Sequence, residues 1–136
     1  MRRPLAMLCL PLSLLALAGC GSTASTAGFK GEQHEVAQTI ANLQNDATAA
    51  EQKKICANDL AAALVTRLGG AKGCETAIKN QLAEVDNLET SVKSVDVAAG
   101  GKAATAQVKS IREGKTATSA VSLVKEGGKW KISGVG

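Results

Sequence analysis

The residues of this 136-residue chain with the most distinctive chemistry are four cysteines and a single histidine. Cys56 and Cys74 lie in the body of the sequence, at the two ends of a segment that includes a pair of glycines. In an exported protein such a pair predicts a disulfide, because the segment can fold back and bring the two sulfur atoms together. Zinc is the alternative, but only His34 could add an imidazole, so we predict no metal. A redox-active pair is disfavoured because the cysteines are too far apart in sequence.

Acid–base catalysis would need carboxyl, imidazole or phenol groups placed together beside a substrate. The chain has no tyrosine, and we expect His34 to be exposed or to cap the start of a helix. Asp59 is expected to cap a helix, and Asp96 to face water from a strand. With Asp46 and Asp86 they are scattered without the spacing of a catalytic pair. No Gly-x-Ser-x-Gly motif or phosphate-binding glycine loop is present, so we predict no catalytic residues, no cofactor and no enzymatic activity.

The N-terminus has the layout of an export signal. Arg2 and Arg3 precede an apolar run from Leu5 to Leu17, followed by small residues. The run is short for a membrane span, which needs roughly 20 apolar residues, so a retained transmembrane anchor is the alternative. An ordinary secretory signal is a second alternative.

The tetrapeptide that ends this signal, Leu17-Ala18-Gly19-Cys20, resembles the bacterial lipobox. The resemblance implies that the signal peptide Met1–Gly19 is removed and that Cys20 becomes the lipidated first residue of the mature protein. Cys9 would leave with the signal. We therefore expect the protein at the cell membrane, held by its lipid on the extracytoplasmic face.

Three parts follow from this organisation: a signal peptide at 1–19, the lipidated cysteine with a flexible tether at 20–31, and a single domain at 32–136. The tether is predicted because Gly21–Gly28 contains only small, uncharged residues. Removal of the signal lowers the formal charge from +4 to about +2. With so small a charge and no basic run interleaved with aromatics, we predict no nucleic-acid partner.

The first half of the domain shows helical periodicity. We predict helical regions over His34–Ala50, Glu51–Leu68 and Cys74–Val85. Asn58-Asp59 could cap a restart within the second, and Gly69-Gly70 ends it. In the first helix the apolar positions Val36, Ile40, Leu43 and Ala47 share one face, and Gln38, Asn42 and Asp46 lie elsewhere on the cylinder. This half is expected to be all helical.

The second half alternates Val, Thr and Ser with apolar residues and is interrupted by short glycine-containing turns. We predict strands over Leu88–Val97, Lys102–Ile111, Thr116–Lys125 and Lys129–Val135, with a bulge in the first strand where the alternation slips between Val92 and Val95. Short turns predict hairpins. The expected fold is therefore α+β, with N-terminal helices packed on a C-terminal four-stranded antiparallel meander.

The layout resembles that of small actinobacterial lipoproteins with a nuclear-transport-factor-2-like, or cystatin-like, domain. The resemblance rests on helices before a meander, the lipobox, the paired cysteines and the final strand, in which Gly128, Lys129, Trp130 and Ile132 follow the pattern of such domains. It implies a curved, cone-like sheet wrapped around helices, sometimes with a pocket. Because the family includes both enzymes and non-catalytic binders, its fold alone does not define a function.

The function predicted from the sequence is a membrane-anchored envelope lipoprotein with a non-catalytic interaction or accessory domain. Its partners would be the membrane, through the lipid on Cys20, and an envelope protein. The alternative is a binder or carrier of a small apolar ligand or lipid, which would need an apolar cavity between the helices and the sheet.

Overall fold

The computed structural model describes residues 25–85 and 89–136. The predicted signal peptide Met1–Gly19, the predicted lipidation at Cys20 and Asp86 lie outside these residues. The elements in chain order are α1 (Glu32–Thr48), α2 (Gln52–Lys54), a π-helix (Ile55–Asp59), α3 (Ala62–Arg67), α4 (Gly70–Ala83), β1 (Glu89–Val97), β2 (Ala103–Arg112), β3 (Lys115–Glu126) and β4 (Lys129–Val135). Helices are thus followed by strands, and the predicted α+β class is confirmed.

The four strands form one antiparallel sheet in the order β1-β2-β3-β4. Their ends agree with the predicted ends to within one residue. The predicted bulge in β1 is also present: Val92 pairs with Val108 and Ser94 with Gln107, which leaves Lys93 as the extra residue. The alternation of side chains therefore specified both the strands and their irregularity.

The core lies between one face of the sheet and the helices. Buried residues alternate along part of the strands: Ala104, Ala106 and Val108 on β2, Val121 and Leu123 on β3, and Trp130 and Ile132 on β4. α1 contributes Val36, Ala37, Ile40 and Ala41 from its apolar face. Many of these side chains are small, so each buries little apolar area and close approach of the backbones makes up part of the difference.

The helical region predicted over Glu51–Leu68 is divided, and its predicted restart lies at Ala62, shortly after Asn58-Asp59. The chain leaves the helical conformation at Leu60 and Ala61, whose φ/ψ values of −95°/142° and −65°/145° are extended. Leu60 forms a parallel bridge with Ile132, and the Ala61 N–H donates to the Ile132 carbonyl at 2.8 Å. The helical segment is therefore interrupted because Leu60 and Ala61 pair with the edge strand β4 instead.

The third helix starts four residues earlier than predicted, at Gly70, after Gly69 turns the chain with φ 95°. Gly73 permits this corner, because a Cβ at its position would lie far inside van der Waals distance of the Leu68 carbonyl oxygen. The close approach of α4 to the end of α3 sets the position of the next residue, Cys74, which is fully buried.

Across residues 25–85 and 89–136, the helices are too short or too polar for any of them to cross a membrane.

Candidate functional site

A polar groove follows α1 on the side where β4 approaches the π-helix. It is lined by α1 side chains between His34 and Asp46, by Lys54, Asn58 and Asp59, and by residues 128–131. We call it the helix-side groove. Its volume of about 730 Å³ is within the range of clefts that bind small ligands.

Asp46 lies in the last turn of α1 at one end of this groove and is only 5% exposed. Its placement away from the buried side of the helix in the sequence analysis is therefore wrong. It borders the apolar stripe, three residues after Leu43, and the folded segment that follows α1 covers it. The Lys54 Nζ lies 2.7 Å from the Asp46 Oδ1 and supplies the opposite charge.

Asp59 is the second buried carboxyl group, also 5% exposed. It ends the π-helix, whose wide turn is closed by the Leu60 N–H donating to the Ile55 carbonyl at 3.1 Å. The predicted role of Asp59 as a helix cap is wrong. Ala61 occupies the position before α3 and makes no side-chain cap, and the Glu126 carboxylate accepts from the Ala62 N–H at 3.2 Å instead.

Asp46 and Asp59 interact with each other. Burial, followed by hydrogen bonding with Asp46 and the charge of Asp46, raises the pKa of Asp59 to about 7. The nearby ammonium groups of Lys131 and Lys54 oppose the shift. Near neutral pH both protonation states of Asp59 are therefore accessible, and a cation that binds beside it would favour the charged form.

Two lysines flank the carboxyl pair. Lys54 is half-exposed and also contacts Glu51 Oε2 at 3.1 Å, and its hydrogen bonds with Asp46 and then Glu51 raise its pKa. Lys131 instead donates to the Asn58 carbonyl. Lys54 is thus the lysine whose ammonium directly contacts the carboxyl pair. Its side chain is flexible and accessible to solvent.

The other end of the groove is fixed by Trp130. Its indole N–H donates to Glu32 Oε2 at 2.7 Å, and Lys125 Nζ lies 2.6 Å from Glu32 Oε1. The Lys125 ammonium is also 5.6 Å from the centre of the Trp130 ring. The hydrogen bonds from Lys125 and Trp130 lower the pKa of Glu32. These contacts hold the start of α1 on the β3–β4 hairpin and keep the groove's two walls together.

Cys56 and Cys74 are brought together at disulfide distance, with their Cα atoms 6.1 Å apart. Both are buried, Cys56 in the π-helix and Cys74 in α4. His34 is exposed in the first turn of α1, and Asp96 is exposed on β1, as expected. Among the described residues no three His, Cys, Asp or Glu side chains converge as a metal site.

The buried carboxyl pair is the feature that sequence reasoning missed. Thirteen positions separate Asp46 from Asp59, and no local motif joins them. A weak signal was available on α1, where Glu35, Thr39, Asn42 and Asp46 recur at helical spacing along one flank of the apolar stripe. The recurrence of these four polar residues indicates a polar flank of the helix. It does not reveal which of the four becomes buried.

Comparisons of the chain with known protein families, with curated proteins and with solved structures found no match.

Proposed function

We propose that the chain is a lipid-anchored binding module of the extracytoplasmic membrane face, which contacts an envelope protein through the helix-side groove and performs no catalysis. The observation that carries the binding role is Asp59. Its Oδ2 atom is buried and has no hydrogen-bond partner within the described ranges. Buried polar atoms are nearly always hydrogen-bonded, so an unpartnered oxygen beside a groove favours a partner from outside the domain.

Export is supported by the cysteine pair and by the N-terminal sequence. Disulfides persist outside the cytoplasm and are rare within it, and Cys56 and Cys74 lie at disulfide distance. The Leu17-Ala18-Gly19-Cys20 motif then accounts for membrane attachment, and the small residues after it for a tether. The order of helices and meander supports the nuclear-transport-factor-2-like assignment, which we retain as part of the proposal.

The polarity of the groove favours a polar partner over a small apolar ligand. Its walls present amide side chains, including Gln38, Asn42 and Asn45, together with the Asp46–Lys54 ion pair. Burial of such groups against an apolar molecule would remove their hydrogen bonds with water without replacing them. We therefore prefer an envelope protein as the partner.

Cell fractionation of a Cys20→Ser variant tests the anchor. In a bacterial host that processes lipoproteins, we expect the wild type in the membrane fraction at mature size, because two acyl chains give durable attachment. The variant should move to the soluble fraction or remain an uncleaved precursor. Cys9→Ser is the matched control and should behave as the wild type. A Cys20→Ser protein that stays in the membrane at mature size would show that lipidation at this position is wrong.

A further inference from the structure

The acidic end of the helix-side groove has two carboxyl groups but one directly bonded ammonium. Lys54 Nζ contacts Asp46 Oδ1 at 2.7 Å, whereas Asp59 Oδ2 has no partner in residues 25–85 and 89–136. Asp59 is 95% buried, so water supplies little of the missing interaction. A buried acceptor left in this state is costly, and a hydrogen-bond donor from a ligand would relieve the cost.

Lys54 shows which kind of group this end of the groove accepts. Its side chain is 52% exposed, yet its ammonium reaches the buried Asp46 carboxylate from the solvent side. The Lys54 ammonium therefore occupies a position that a cation of a binding partner could take. Since it also contacts Glu51 on the surface, it can move outward and remain paired.

We propose that the carboxyl pair of Asp46 and Asp59 is a binding subsite for an organic cation, namely the ammonium or guanidinium of a basic side chain on a partner protein. This assignment rests on the binding role proposed for the groove, and it is independent of the lipid anchor. A guanidinium is the better fit of the two, because its planar fork can donate to two carboxylate oxygens at once. The pair offers too few protein ligands for a metal ion, since the described residues contain no third acidic, cysteine or histidine ligand beside it.

The inference predicts that binding and proton release are coupled. Burial and the neighbouring Asp46 raise the pKa of Asp59 to about 7, so Asp59 holds a proton in mild acid and a cation must displace it. The charged groups that line the groove or contact these groups are Asp46, Glu35 and His34 on α1, Lys54 on α2 with Glu51 before it, and Lys129 and Lys131 on β4. Binding should therefore tighten as the pH rises, by about tenfold between pH 6 and pH 8 for one proton.

The test is a titration of the purified mature chain in detergent with agmatine, a small guanidinium, and with a short arginine-containing peptide. Trp130 is the only tryptophan and lines the groove, so its fluorescence reports occupancy. We expect saturable binding of both probes that strengthens with pH, and no binding of uncharged N-propylurea. Tighter binding of the peptide than of agmatine supports a protein partner. Equal affinities would show instead that the cation comes from a small amine and would overturn the assignment to a protein.

Four variants separate the subsite from general effects of charge. Asp59→Asn should abolish the pH dependence and weaken binding at pH 8 at least tenfold, while the exposed Asp96→Asn should bind as the wild type. Lys54→Met should bind agmatine more tightly at pH 8 because the competing ammonium is gone. His34 is the one imidazole among the residues that line the groove, so His34→Gln is the control that should keep the pH dependence.

The inference is overturned if Asp59→Asn, shown to be folded by circular dichroism, binds agmatine as the wild type does. The inference is also overturned if binding to the wild type weakens as the pH rises, or if Lys54→Met binds agmatine less tightly. Neither of these measurements depends on the folding of Asp59→Asn. Absence of binding by the wild type would reject the cation but leave membrane attachment untouched, because fractionation decides that question separately.

Discussion

At the scale of single residues, Asp59 is a buried acid whose pKa is raised by its surroundings. An acid whose pKa is raised on folding holds its proton in the folded state after the unfolded chain has lost it. The free energy of unfolding therefore decreases as the pH rises from about 4 to about 7, and then levels off. Because each unit of pKa shift corresponds to about 1.4 kcal/mol, the total decrease is expected to be a few kcal/mol.

Replacement of Asp59 by asparagine should remove this dependence. The amide stays neutral at every pH, so Asp59→Asn is expected to be more stable than the wild type above pH 7 and to give a flat profile between pH 5 and 8. Urea unfolding at a series of pH values measures both effects. Asp96→Asn, an exposed aspartate on β1, is the control and should follow the wild type. A wild type whose stability rises across this range would contradict the assignment.

At the scale of elements, the corner between α3 and α4 depends on the absence of a side chain at Gly73. A Cβ there would collide with the backbone carbonyl of Leu68, which cannot rotate away as a flexible side chain would. Gly73→Ala is therefore expected to destabilise the domain by about 1–3 kcal/mol. Gly134→Ala is the matched control, because a Cβ at that strand position meets no atom within 4 Å. Equal thermal stability of the two variants would show that α4 can shift freely.

The cysteine pair places one sulfur in the π-helix and the other in α4, at disulfide distance. Closure of the loop from Cys56 to Cys74 should contribute about 3 kcal/mol by restricting the unfolded chain. Reduction, or a double change of both residues to serine, should therefore lower the melting temperature while leaving the sheet signal in circular dichroism intact. A thiol assay on non-reduced protein gives the chemistry, and two reactive thiols after purification from the envelope would reject the bond.

The strands were predictable from the sequence because each depends on local alternation and on turns such as Gly100-Gly101. A helix restart near Asn58-Asp59 was predictable too, but the extended backbone at Leu60 and Ala61 was not, since there the Ala61 N–H donates to the Ile132 carbonyl, far along the chain. The carboxyl pair has the same origin: Asp59 reaches Asp46 because a π-helix widens the turn before that break. Sequence periodicity identifies elements, but the site arises from the contacts made between them.

At the scale of the whole molecule, the groove runs along α1 and the start of β4, whereas the exposed residues of β2 lie on the sheet face away from the core. Asn42 is exposed in the groove, whereas Gln107 is exposed on β2 between Ala106 and Val108, which face the core. If the domain works as a tethered binding module, only the groove side should be covered in the cell. The two positions therefore form a matched pair for mapping where a partner sits.

Site-specific photo-crosslinking in intact cells tests this central claim most directly. A photoreactive amino acid at position 42 should yield a discrete crosslinked species in the membrane fraction, and the same amino acid at position 107 should not. The species at position 42 should weaken when Asp59→Asn is added, since the partner would lose its contact with the acidic end of the groove. Crosslinks only from position 107, or equally from both positions, would contradict the account.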